Sequence, residues 1–266
     1  MPFVAILGAG PLGGALTYTL ASRARFDEVR LIDSAGTVAV GKALDIRQAG
    51  PPDGCSTRVT GHTDITDAAG AWVVVLADPL PTSDPSRAAT DPTALLRKAC
   101  AISPGAMLVC ADASHAPLIR RLVGEGICAP DLLVGSAPGA AVSAAQSLVA
   151  LAAGSASAEV AVGLSSSPET GMPEIDWQRV SVRGRRAIDV LTAERRDRVG
   201  RQLAAAWPPG PYALAAAAAG VAEAAWFGSR RSHSAWVADR SLGADEAGLV
   251  DIVFDPGGRM RPAAAG

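Results

Sequence analysis

The chain has 266 residues, of which 49% are hydrophobic and 19% are charged, and its formal net charge is -2. This composition is typical of a globular protein and gives no electrostatic basis for binding nucleic acid or an anionic membrane. No apolar run approaches the roughly 20 residues that span a bilayer, and no secretory leader is recognisable, so we expect a cytoplasmic protein.

The first predicted strand leads into a glycine-rich turn. Phe3–Leu7 is apolar, and the residues after it read Gly8, Ala9, Gly10, Pro11, Leu12 and Gly13, followed by a helical stretch. Gly8 permits the tight turn, Gly10 lets a pyrophosphate approach the backbone, and Gly13 lets the helix pack closely on the sheet. The next strand ends on Asp33, from where a carboxylate can bind an adenosine ribose hydroxyl. This combination predicts NAD rather than NADP.

Helices and strands alternate through the rest of the first half. In chain order we predict a helix at 39–49, a short strand at 58–60, a strand at 72–77, a helix at 93–101, a strand at 106–111, a helix ending near 124 and a strand at 132–134. The apolar strands have the pattern that a parallel sheet buries on both faces. The alternation predicts an α/β fold with a doubly wound parallel Rossmann sheet over residues 1–135.

The second half has a different pattern, in which the predicted strands are short and the predicted helices are rich in small residues. The predicted elements are a helix at 140–153, strands at 159–164 and 179–182, helices at 192–207 and 212–227, and a strand at 249–254. The alanine-rich stretches indicate close-packed helices. We expect a smaller α+β domain over residues 136–266.

Three segments of the chain resemble the lactate/malate dehydrogenase family. They are the opening turn with Asp33, the sequence GKALDI at residues 41–46, and residues 135–151, which follow the family's G-x-x-G-x-L-D-x-x-R segment without a gap. The resemblance implies NAD as the cofactor and a substrate domain after the Rossmann domain. It also implies a homo-oligomer, since family members commonly associate through the helix after the second strand. The cofactor-binding residues are then expected to be Gly8, Gly10, Pro11, Leu12, Gly13, Asp33 and Ala77.

The family's reaction, as the resemblance implies it, is hydride transfer between NAD and a 2-hydroxy acid. A histidine takes the hydroxyl proton, an aspartate orients that histidine, and arginines bind the substrate. This chain departs from the pattern, because Ala141 stands at the aspartate position, Ala144 and Pro81 at arginine positions and Pro168 at the histidine position. The family's long C-terminal helix is also missing, so we expect a degenerate, truncated second domain.

These departures decide the expected function. A positioned general base contributes about 10²- to 10⁴-fold to the rate, and the chain lacks both that base and its orienting partner. We therefore predict an NAD(H)-binding protein without the Asp–His pair, which is not an active malate or lactate dehydrogenase. A structural homologue that has lost even the cofactor is a further alternative.

An enzymatic alternative rests on Asp112, His115 and Arg87. Asp112 and His115 follow the 106–111 strand, at the edge where open α/β sheets bind ligands. His115 could be a replacement base oriented by Asp112, with Arg87 binding an anionic substrate, in an NAD-dependent oxidoreductase of altered specificity. In the other interpretation, Asp112 caps the following helix and His115 lies half exposed in its first turn, with Arg87 a surface charge.

The other titratable candidates give weaker signals. Glu169 is a second possible base or a solvated loop residue. His62 and His233, the remaining histidines, lie in polar stretches that we predict to be exposed turns. The four cysteines are scattered and have neither CxxC spacing nor a histidine at ligand spacing, which predicts reduced thiols and no metal site.

Overall fold

The computed structural model describes residues 3–50, 54–79, 91–167, 171–238, 247–256 and 258–263. Its strands are β1 (Phe3–Leu7), β2 (Glu28–Ile32), β3 (Arg58–His62), β4 (Val73–Leu76), β5 (Met107–Cys110), β6 (Leu133–Gly135), β7 (Val160–Ala161), β8 (Leu164–Ser166), β9 (Pro173–Ile175), β10 (Ser181–Val182), β11 (Arg185–Arg186), β12 (Ser229–Ala238), β13 (Ala247–Phe254) and β14 (Met260–Pro262). Its helices are α1 (Pro11–Arg23), α2 (Gly36–Ala49), α3 (Pro92–Ile102), α4 (Ala116–Gly124), α5 (Ala137–Ala153), α6 (Ala187–Val190), α7 (Ala193–Ala205) and α8 (Pro211–Phe227). Among the described helices, none combines the length and apolarity needed to cross a membrane.

The predicted doubly wound parallel sheet is confirmed. Six parallel strands lie in the order β3-β2-β1-β4-β5-β6, so the strand order reverses between β1 and β4. Every residue of β1, β4 and β5 is buried, which explains why these segments are continuously apolar. The carboxyl ends of β1 and β4 therefore meet at one edge, where ligands bind in sheets of this kind.

Three antiparallel strands from the second half extend the same sheet. β12 pairs with β6 through Trp236 and Gly135, and β13 and β14 follow it at the edge. The sequence did not predict β12, because Arg230, Arg231 and Ser232 read as a turn. They are exposed, so the strand carries no alternating apolar signal there.

The alanine-rich helix α8 packs on the parallel sheet, and its small residues make the close helix packing that the sequence predicts. Eight of its residues are buried, six of them alanines, and the helix contacts α1, α5, β4 and β5. Side chains this small let helix backbones approach one another closely. The described apolar residues of the sheet, α1 and α8 consequently form one continuous core.

The remaining strands of the second half form two small sheets. The segment predicted as one strand at 159–164 is broken into β7 and β8, which pair with β10 and with β9 respectively. Gly163 lies at the break and donates its N–H to the Arg179 carbonyl at 3.1 Å. α5 begins at Ala137, three residues before its predicted start, because Pro138 is tolerated in a first helical turn.

Candidate functional site

The turn between β1 and α1 has the backbone that its glycines permit. Gly8 has φ of 98°, which favours glycine, and its N–H donates to the Ile32 carbonyl at 2.9 Å. A Cβ atom on Gly8 would overlap the backbone of Asp78, and one on Gly13 would overlap the Gly8 carbonyl oxygen. Both glycines are therefore required by close backbone packing, which brings α1, β1 and the end of β4 together.

Asp33 braces this turn from the end of β2. Its side chain is buried, with Oδ2 accepting the Ala9 N–H at 2.7 Å and Oδ1 accepting the Ala35 N–H at 2.9 Å. Each carboxylate oxygen has two lone pairs, so both retain capacity for a further donor such as a ribose hydroxyl. Asp33 thus lies at the predicted edge, held by two backbone amides.

Asp78 is a further residue at this turn, and the sequence did not predict its position there. It follows Ala77, the buried residue that continues β4, and its carboxylate accepts the Gly13 N–H at 2.6 Å and the Leu12 N–H at 3.2 Å. These amides belong to the first turn of α1, whose positive dipole end favours an anion. Leu12 and Gly13 are also among the residues that the resemblance assigns to the cofactor. One signal could have revealed the contact: β4 lies beside β1, so a residue following β4 faces the turn that follows β1.

Two charged groups set the electrostatics around Asp78. Burial raises the pKa of the Asp78 carboxyl above its usual value, although the Gly13 and Leu12 hydrogen bonds and the charge of Lys42 oppose that shift; the nearby charge of Asp112 adds to it. Lys42, from the GKALDI segment on α2, donates from Nζ to the Gly10 carbonyl at 2.8 Å. The turn therefore holds an anion and a cation together.

Asp112 and His115 lie after β5 in a capping arrangement. The Asp112 carboxylate accepts the Ser114 N–H at 2.8 Å and the Ser114 hydroxyl at 2.6 Å, and the Asp112 N–H donates to His115 Nδ1 at 3.3 Å. The expectation of a half-exposed His115 is wrong, because that residue is only 9% exposed. Burial lowers the pKa of its imidazole despite the nearby Asp112 charge. Within the described residues, the Asp112 carboxylate caps a turn rather than orienting the histidine.

The family's aspartate and arginine positions on α5 lie in an apolar environment. Ala141 is 1% exposed and packs in a cluster with Leu164 and Leu203, and Ala144 contacts the same cluster. Four other candidates, Pro81, Arg87, Pro168 and Glu169, lie outside the described residues.

The other two histidines are not in exposed turns, contrary to expectation. His62 ends β3, where its ring lies 2.9 Å from the Thr60 hydroxyl and 3.2 Å from an Asp67 carboxylate oxygen. His233 is half-buried in β12 against the Phe254 ring, and burial lowers its pKa. Both are strand residues because the polar segments around them continue the sheet. The described residues contain no group of three or more potential metal ligands.

Comparison with solved structures identifies the architecture. Malate dehydrogenase from Cryptosporidium parvum superposes with a TM-score of 0.83 at 15% identity, covering 100% of this chain and 91% of that one. Lactate dehydrogenase from the same organism, complexed with lactic acid and nicotinamide adenine dinucleotide, gives 0.82 at 20% identity, covering 98% and 89%. The chain has the lactate/malate dehydrogenase fold.

Sequence similarity to curated proteins of this kind is confined to segments. Malate dehydrogenase from Neorickettsia sennetsu is 37% identical over 78 residues, which are 29% of this chain and 25% of that protein. The Roseiflexus enzyme is 32% identical over 115 residues, covering 41% and 37%. The matched segments thus span between a quarter and somewhat over a third of these malate dehydrogenases. No protein-family model matches the chain.

Proposed function

We propose that this chain is a member of the lactate/malate dehydrogenase family that binds NAD(H) but does not oxidise malate or lactate. The shared fold over the whole chain and the segments of malate dehydrogenase similarity support the family. The turn glycines and Asp33, at the edge where the strand order reverses, support the dinucleotide.

The environment of Ala141 carries the proposal that catalysis is lost. In the family, as the resemblance implies, this position supplies the aspartate that orients the catalytic histidine. Here it is 1% exposed among leucines, where an unpaired carboxylate would be strongly disfavoured. Ala144 adds a methyl group to the same cluster where the family has a guanidinium. Ala141 and Ala144 are thus part of the apolar packing of α5. The chain therefore has no aspartate here to orient a catalytic histidine and no arginine to bind a substrate.

The dinucleotide would be held by the β1–α1 turn and the end of β2. Asp33 would accept the adenosine ribose hydroxyls, while the amides of Leu12 and Gly13 would donate to the pyrophosphate. Ala77, whose N–H donates to the Leu7 carbonyl at 3.0 Å, would lie beside the same turn. A bound NAD would supply a hydride acceptor, and no residue described here is positioned as the base that such a transfer needs. The glycines and Asp33 fit this ligand, whereas the Asp78 carboxylate conflicts with it.

An oxidoreductase that uses Asp112, His115 and Arg87 receives less support. The hydrogen bond between the first two residues runs from a backbone amide to Nδ1, so the carboxylate is not the group that orients the ring. Burial also lowers the pKa of His115 and disfavours the charged imidazolium that a base must become. The geometry favours a structural role for both residues.

We also propose that the protein is a homo-oligomer and that it is cytoplasmic. Val38, Val40 and Leu44 on α2 are 43%, 52% and 45% exposed, which supports association through this helix. All four cysteines are free thiols, as is usual in a reducing compartment. Sedimentation of wild type and Val40→Glu would test the oligomer, since the charge should shift the protein toward monomers.

Two assays on one preparation test the proposed function. A titration with NADH and NADPH, read by energy transfer from the tryptophans, should give saturable binding with NADH the tighter ligand. Absorbance assays with malate or lactate and NAD should give no turnover above background. Asp33→Ala is the matched variant and should weaken NADH binding. Turnover of either acid, or failure of NADH to bind even after removal of the Asp78 carboxylate, would refute the proposal.

A further inference from the structure

We infer that Asp78 is an internal competitor of the dinucleotide, its carboxylate occupying the position of the pyrophosphate until the ligand displaces it. This inference rests on the proposed function and adds a regulation of the same site. It is drawn from three observations, namely the donors that Asp78 engages, the space that it fills and the charges around it.

The first observation is the identity of the donors. The Gly13 amide donates to Asp78 Oδ2 at 2.6 Å and the Leu12 amide donates to Oδ1 at 3.2 Å. Amides at the start of a helix after a glycine-rich turn are the usual phosphate ligands in this architecture. Each amide has one hydrogen to donate, so a phosphate oxygen can use it fully only after Asp78 has released it.

The second observation is the use of space beside Gly10. A methyl group built on Gly10 would lie 2.5 Å from both Cγ and Oδ1 of Asp78. The gap that glycine leaves for the close approach of a pyrophosphate is therefore filled by the carboxyl group. Asp78 and a pyrophosphate exclude each other sterically as well as through their shared donors.

The third observation is the balance of charge. Lys42 lies beside the turn, with Nζ bonded to the Gly10 carbonyl, and its charge acts on Asp78. The same cation and helix dipole would act on a phosphate in that position. Asp33 after β2, Lys42 on α2 and Asp112 after β5 remain where they are. One anion is thus exchanged for another, and among the described residues the exchange needs only rotation of the Asp78 side chain.

A phosphate-bearing ligand must displace the Asp78 carboxylate before it binds, and this requirement lowers its observed affinity. Ligands without a phosphate are not affected. The apparent dissociation constant equals the intrinsic one divided by the fraction of molecules in which the site is open. Because Asp78 closes the phosphate position and leaves Asp33 untouched, adenosine should bind equally well with or without the carboxylate. NADH and ADP should bind more weakly than the turn itself would permit.

Calorimetric titrations of the full chain with NADH, ADP and adenosine test the inference. Asp78→Ala should tighten NADH and ADP binding by at least 10-fold, Asp78→Asn should tighten it by less, and adenosine affinity should stay the same. Asp91→Ala, which removes an aspartate cap from α3, is the matched control and should leave all three affinities unchanged. The asparagine variant keeps a cap acceptor, so it remains informative if the alanine variant folds poorly.

The alternative outcomes are distinguishable. Equal NADH affinity in wild type and both Asp78 variants would overturn the inference while leaving the proposed function standing. Tightening of adenosine to the same extent as NADH would also overturn it, because the effect would then not concern phosphate. No NADH binding in any variant would remove the proposed function and, with it, the inference.

Discussion

The Gly13 amide and the Asp78 carboxylate are joined by a hydrogen bond of 2.6 Å across 65 positions of sequence. The bond ties the end of β4 to the first turn of α1 and satisfies one of the free amides at a helix start. The Asp78 carboxylate thus takes up an amide that, in our proposal, would donate to the pyrophosphate of a dinucleotide. Removal of the Asp78 carboxylate should lower the stability of the fold but tighten the binding of phosphate-bearing ligands. Because the two effects have opposite signs, experiments can separate them.

Asp78 should affect stability in two opposing ways. Its hydrogen bonds to the first turn of α1 stabilise the fold, whereas burial of its charge destabilises it. Asp78→Ala loses the acceptor for two amides and should lower the free energy of unfolding by about 1 kcal/mol at neutral pH. Asp78→Asn keeps an acceptor and removes a charge whose pKa is raised by burial, so it should be at least as stable as wild type there. A raised carboxyl pKa means that ionisation costs stability as pH rises through it. The advantage of the asparagine variant should therefore vanish below about pH 4. Urea unfolding at both pH values measures this.

Glu28 should be a strong contributor to stability in the first half of the chain. Its side chain is 7% exposed and contacts Arg30 at 3.0 Å and Arg58 at 2.6 Å. Glu28→Gln should lower the free energy of unfolding by about 1–3 kcal/mol, since hydrogen bonds to charged groups are stronger than neutral ones. Glu125→Gln is the matched control, because that residue pairs with arginines at the surface and should change stability by less than about 1 kcal/mol.

The pH dependence of the Glu28 effect has a definite sign. Burial alone would raise the pKa of Glu28, but the hydrogen bonds and charges of Arg30 and Arg58 outweigh it and hold the pKa below its usual value. The stabilisation is therefore complete above about pH 4.5 and is lost as pH falls through the folded-state pKa. Thermal melts of wild type and Glu28→Gln should converge at the acid end. A constant difference down to pH 2 would contradict this.

His115 and His233 should make the fold sensitive to mild acid. Burial lowers the pKa of both imidazoles, so the folded state prefers them neutral. Stability should fall as pH drops below about 6.5, where the unfolded chain takes up protons more readily. His115→Gln and His233→Gln should each flatten the change in unfolding free energy between pH 7.5 and 5. His62→Gln serves as the comparison, and a full pH response in the double variant of His115 and His233 would exclude this origin.

The sequence predicted the sheet because its buried strands are continuously apolar and its turn glycines are spaced as the fold requires. It did not predict the capping of α1, because Asp78 comes from another strand and an acidic loop residue carries no local signal for that contact. β12 was missed for a related reason: its first half is polar and exposed, and strand pairing with β13, not side-chain pattern, defines it.

The burial of His115 shows the same limit at the candidate site. A histidine three residues after an aspartate predicts a capping turn, and that turn is present. Its exposure depends on packing from other parts of the chain, which no local pattern encodes. Local chemistry was thus predictable near the site, whereas contacts between distant segments were not.

Ala141 provides the most direct test of lost catalysis. Ala141→Asp restores the family's residue type but inserts a carboxylate among Leu164 and Leu203, so it should lower the free energy of unfolding by about 2–4 kcal/mol. Ser147→Asp, on the exposed face of the same helix, should be close to neutral and controls for charge on α5. Thermal melts give the stability, and assays with NAD and malate or lactate should stay at background for both variants. Activity appearing in Ala141→Asp would contradict the proposed function, because the chain would then carry a working base in spite of Pro168 at the family's histidine position.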